Sequence, residues 1–203
     1  LVKALEDKHN KKFARIHKTF TVKLGNYGIS LSHYIFLMLN PIQIIQWHLG
    51  QSQRVVPNSF KLLATRQWSR GMMFVYQVSC YLNERETTFD TFWCDFFEQK
   101  SNAWLHIGGC AIGMDLPINS SERVQFSHGS VLGADGVNNA FIYGRTLSPD
   151  VVSVEVVFDG SKTIEDWTPD EVFAIALPDA VSVTELRLKN YRGDVFETIS
   201  IHD

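Results

Sequence analysis

Between Met72 and Gly113 the chain reads MMFVYQVSCYL, NERETT, FDTFWCDFFEQ, KSN and AWLHIGGCAIG. Three aromatic-rich stretches are thus separated by two short polar links, and this run constrains the fold more than any other part. Aromatic and β-branched side chains pack well on a pleated surface and lose rotamer freedom in a helix. Links this short join neighbouring antiparallel strands. The first stretch alternates, with Phe74, Tyr76, Val78, Cys80 and Leu82 opposite in direction to Val75, Gln77, Ser79 and Tyr81. The second carries Phe89, Phe92, Trp93, Phe96 and Phe97, which puts rings on both faces. Such a strand is either central in a sandwich or has one face forming a binding surface, here Phe89, Trp93 and Phe97. In the third, Gly108-Gly109 predicts a bulge or a sharp bend.

The strand rhythm resumes after a long polar segment, MDLPINSSERVQFSHGSVLGADGVNN, in which one short strand is expected near Val124–Ser127. AFIYGRTL, VVSVEVVF, EVFAIALP and a closing hairpin of SVTELRLKN and VFETISI follow, the last turning at Tyr191-Arg192-Gly193-Asp194. Upstream, Phe60–Thr65 suits a turn of helix. Strand signals at regular spacing argue for an antiparallel β-sandwich or open barrel over residues 54–203, mainly β, or α+β by count with the helical element that precedes it.

Residues 1–53 differ. No Lys, Arg, Asp or Glu falls between Lys23 and Arg54, and residues 1–23 hold seven basic residues against Glu6 and Asp7. The net charge of −3 therefore divides into +5 there and −8 over the rest. An acidic body argues against nucleic acid as a partner, and the basic segment reads as a solvated tail. The uncharged run predicts two short helices, about 30–39 and 41–49, because Pro41 disfavours helix at Asn40 and is welcome in a new first turn. Ile42, Ile45 and Leu49, flanked by Ile44 and Trp47, form an apolar stripe ended by Gly50. Gly28 to His48 is long enough to span a bilayer, yet Asn40, Pro41, Gln43, Gln46, His33 and His48 are expensive in hydrocarbon. Two readings stay open for residues 29–50: docking on the β domain or a partner, and a membrane tether with the C-terminal domain outside. The first methionine is Met38, so translation from there would leave a single docked helix.

The chemistry-bearing residues form no recognisable motif. No GxGxxG, Walker A, GxSxG, HExxH or EF-hand pattern occurs, so no cofactor and no metal is expected. Asp135, Asn138 and Asn139 sit in a loop rich in turn formers rather than in a calcium array. Cys80, Cys94 and Cys110 are too few for a disulfide framework, and free thiols point to the reducing cytoplasm. An enzyme would have to use His106, His128 or Cys110. At i, i+4 on a strand, His106 and Cys110 share a face about 13 Å apart, beyond proton transfer. Asp90 and Asp95 fall on opposite faces and make no carboxylate pair. The sequon Asn119-Ser120-Ser121 carries weight only in a eukaryotic secretory setting. The function expected is therefore non-enzymatic binding, with a protein partner.

From Arg66 to the C-terminus the chain resembles small bacterial β-rich domains of unknown function. The resemblance rests on Trp68 and Gly71, on Tyr143-Gly144, on Val154-Glu155-Val156 ending in Asp159-Gly160, and on Glu185 and Gly193. It implies a β fold, often exported in Gram-positive bacteria, and carries over no catalytic residue.

Overall fold

In a computed structural model, the described residues are 40–68, 71–82, 87–100, 103–113, 122–168 and 170–201. The chain divides into units Leu1–Leu39 and Asn40–Asp203, and the first lies wholly outside the described residues. With it go the basic tail, the helix expected at 30–39 and Met38. The sequon at Asn119 is also outside. The second unit is mainly β, antiparallel throughout its ladders, with one short helix among the described residues.

That helix, α1 (Pro41–Gln51), begins where Asn40-Pro41 predicts. The Asn40 side chain accepts from the Gln43 N–H at 3.0 Å while the Gln43 side chain accepts from the Asn40 N–H at 3.0 Å, a reciprocal capping box with proline in the first turn. Gly50 does not end it: the helix continues to Gln51 and is capped at Ser52. Its buried face is Pro41, Ile44 and Ile45, while Trp47 is exposed, so the burial is centred one residue off the expected stripe. Helix α1 falls in the same compact unit, Asn40–Asp203, as the strands.

Eleven strands follow among the described residues. A first sheet runs in simple meander order β1 (Lys61–Trp68), β2 (Gly71–Tyr81), β3 (Thr88–Lys100), β4 (Ala103–Gly113). The turn of helix expected near Phe60–Thr65 is instead the start of β1, because Lys61–Trp68 find ladder partners on β2 that a local helical turn does not supply. A three-stranded sheet has the order β5 (Val124–Leu132), β6 (Asn138–Thr146), β9 (Val172–Pro178). The strand expected at Val124–Ser127 thus runs on to Leu132, and the turn shrinks to residues 133–137. Here the Gly133 and Gly136 N–H groups bond locally, and Gly136 takes φ +81°. A third sheet has the order β11 (Val195–Ser200), β10 (Val183–Lys189), β7 (Ser153–Phe158), β8 (Lys162–Trp167). Strand β8 has no sequence forecast. It is an exposed edge whose pattern is mostly polar, and it forms because the turn at Asp159-Gly160, both at positive φ, sends the chain back along β7.

Two cores result from strict alternation. On β6, Ala140 and Ile142 face one side, packed with Val154, Val156, Leu186 and Leu188 of the third sheet. Phe141 and Tyr143 face the other, packed with Val75, Phe92 and Phe96 of the first. The middle sheet is therefore covered on both faces, which explains why β6 and β9 read as nearly continuous apolar runs. The first and middle sheets also approach at their margins, β1 near β9 and β4 near β5.

Candidate functional site

The first sheet turns Met73, Val75, Phe92, Cys94 and Phe96 inward to the second core. Its other face carries Tyr76 and Cys80 from β2 and Phe89, Thr91, Trp93 and Asp95 from β3, as period 2 requires. The helix end at His48 and Leu49, together with residues 52–55, closes over this face and leaves a cleft of about 950 Å³. The loop is fixed there by ladder-like bonds: Val56 N–H to Ser79 C=O at 2.8 Å and Tyr81 N–H to Arg54 C=O at 2.7 Å. Aromatic and aliphatic side chains such as Leu49, Val55, Phe89 and Trp93 share the lining with polar ones, Ser52, Gln53 and Arg54 on the loop and His48, Asp95 and His106 at the opposite end.

That end is built around Asp95. The Tyr76 hydroxyl donates to Asp95 Oδ2 at 2.8 Å, and His106 Nε2 lies 3.1 Å from Oδ1. The carboxylate side chain is 12% exposed, and among the described residues no lysine or arginine pairs with it. Gly109 stands opposite Asp95 in the ladder, and a Cβ there would collide with Oδ1, so the carboxylate lies over bare backbone. The Tyr76 ring stacks on Trp93 (6.3 Å, 11°) and touches Phe60 (5.2 Å) on another side. His48 brings its ring to 5.8 Å from that of His106. Burial first, and His106 second, hold His48 below the ordinary histidine range. Burial and the Asp95 charge push the Tyr76 hydroxyl far up, so it stays a donor.

His106 reaches this site through a bulge. Phe96 pairs with Gly108 and Phe97 with His106, so Ile107 is the extra residue on β4. The Gly108-Gly109 signal thus locates the bulge to within a residue. Its consequence reverses an expectation: His106 and Cys110 do not share a face. Cys110 pairs with Cys94 and packs on the inter-sheet core, while His106 points into the cleft end. Burial raises the Cys94 and Cys110 thiols, which stay protonated and free. His128 lies on β5 with its ring against Phe126 at 6.3 Å, apart from both.

Of the three aromatics proposed as a binding surface, Phe89 and Trp93 line the cleft and are partly exposed. Phe97 shares their face of β3 but is 0% exposed, packed edge-on to Phe74 at 5.7 Å and against His106 at 5.0 Å. It contacts the site through His106 and is not part of the cleft lining. Sequence reasoning placed Asp95 only as a negative, and missed Tyr76 and His48. The signal for Tyr76 was available, since it falls on the same face of β2 as Cys80, whereas nothing local announces His48. Asp90, on the other face, takes bonds from Gln77 at 2.6 Å and Ser79 at 2.7 Å.

Among the described residues no group of three or more His, Cys, Asp or Glu is placed to hold a metal. None of their helices is long and apolar enough to cross a membrane; at 11 residues, α1 spans about 17 Å against the roughly 30 Å of hydrocarbon. Compared with protein-family models, with curated proteins and with solved structures, the chain finds no match.

Proposed function

We propose that this protein is a non-enzymatic binding module, and that its ligand enters the cleft between the end of α1 and the outer face of β2, β3 and β4. The carrying observation is the cleft itself: about 950 Å³, with an apolar wall of Leu49, Val55, Phe89 and Trp93 and a hydrogen-bonded group of Tyr76, Asp95 and His106 at one end. That size and that division between a greasy wall and a few placed polar groups are the usual marks of a site for a small molecule. A protein partner that engages the same cleft does so by inserting one apolar side chain. The three free cysteines, two of them directly opposed at Cys94 and Cys110, favour a reducing compartment such as the cytoplasm.

A fragment library screened by NMR on the full chain tests this reading. Binders are expected to shift the Trp93 indole and His106 ring signals together. A library that moves neither, while the folded spectrum is intact, removes the cleft as a ligand site.

A second reading rests on the contact between Asp95 and His106. A carboxylate that orients an imidazole at a cleft wall is the arrangement a general base uses. The known nucleophile candidates do not join it, because Cys110 faces the other way. Any turnover found in a substrate screen and abolished by His106→Ala would favour this second reading over the first.

A further inference from the structure

Charge is unevenly distributed along the cleft. At one end sits Asp95, 12% exposed, held by a neutral phenol hydroxyl and an imidazole. Arg54 borders the other end, its backbone bonded to Tyr81, five residues along β2 from Tyr76 and so about 17 Å away. Burying a carboxylate costs free energy unless a positive charge or enough donors compensate it. Among the described residues two donors serve Asp95, Tyr76 and His106, and each carboxylate oxygen has further acceptor capacity. Beside it stands the Trp93 ring, partly exposed, with Phe89 further along the same face. Aromatic faces attract cations through their quadrupole, Trp most strongly, and the effect grows in a desolvated site.

Among the described residues, few titratable or charged groups face Asp95. From β2 comes Tyr76, from β4 His106, and from α1 His48. Tyr76 is held as the neutral phenol and His48 is biased toward its neutral form, so neither brings a lasting positive charge at neutral pH.

We propose that the cleft binds an organic ammonium cation, an alkylated amine with an apolar body, whose positive head sits between Asp95 and the Trp93 ring while its body lies along Phe89 toward α1. This rests on the binding reading above and names the chemical class it serves.

The test uses the full chain and three probes of similar shape: benzyltrimethylammonium, its neutral carbon isostere neopentylbenzene, and phenylacetate. Binding is measured by Trp fluorescence and by NMR shifts at Trp93. The cation is expected to bind roughly tenfold or more tighter than the isostere, with phenylacetate weakest. Asp95→Asn should erase the preference for charge while leaving the isostere's binding in place. Should Asp95→Asn fail to fold, by circular dichroism, the preference of the natural chain among the three probes decides alone. Equal binding of cation and isostere overturns the cation proposal and leaves the binding reading standing, as does tighter binding of phenylacetate. If no probe moves the Trp93 signals, the cation proposal fails, and the broader fragment screen then decides the fate of the cleft.

Discussion

Replacing Tyr76 by Phe isolates the interaction on which the Asp95 end depends. The substitution keeps the ring, so stacking on Trp93 and contact with Phe60 persist, and it removes one hydroxyl. The lost contact is a 2.8 Å hydrogen bond from a buried phenol to a carboxylate that is 12% exposed. A bond to a charged acceptor contributes about 1.5–3 kcal/mol, at the upper part of that range where water cannot replace the donor. His106 remains as the second donor, which argues for the middle, roughly 2 kcal/mol. With a urea slope of about 2–3 kcal/mol/M, the unfolding midpoint should fall by roughly 0.5–1.5 M with the slope unchanged. Measured again in an Asp95→Asn background, Tyr76→Phe should cost about 1 kcal/mol less, because the charge that rewards the hydroxyl is gone. A midpoint within about 0.2 M of the natural chain, or the same cost in both backgrounds, would refute the claim that Tyr76 holds the carboxylate.

Gly109→Ala should displace the Asp95 side chain, since the new Cβ meets Oδ1; a loss of about 1–3 kcal/mol is expected by urea denaturation, with broadened His106 NMR signals. Leu186→Ala empties a fully buried position between the middle and third sheets and should cost about 2–5 kcal/mol in the same assay. His48 carries a pH prediction. Its folded value lies below 6.5, so the unfolded chain binds the proton more readily, and stability present above 6.5 falls as pH drops toward the folded value. His48→Gln should flatten that part of the stability profile; an unchanged profile would show that burial of His48 is not linked to folding.

Much of the architecture was legible because it depends on local alternation. The stretches from Met72 to Gly113 predict three strands at nearly their observed bounds, and the closing hairpin turns at Gly193, at φ +80°, where the residues require it. Asn40-Pro41 marks the start of α1 for equally local reasons. Strand β8 was illegible because its residues are mostly exposed and polar, and an edge strand needs only one partner, β7, to exist. Strand β1 was misread for a related reason: Lys61–Trp68 lacks clean alternation, and its ladder to β2 decides its state.

The division is sharpest at the candidate site. Sequence alone determined that Phe89, Trp93 and Asp95 share one face of β3, since side chains on a strand alternate whatever surrounds it. It also determined that Asp90 lies on the other face. Tertiary structure decided the rest. The single-residue bulge at Ile107 turns His106 toward Asp95 and away from Cys110, and that register is set by pairing with β3, not by the spacing of His106 and Cys110. Packing of α1 brings His48, from nearly sixty positions earlier, against His106. Phe97, on the same face of β3, is buried against Phe74 and His106, and only the assembled layers decide that. Burial is a property of the assembled layers, and no residue carries it in its own identity.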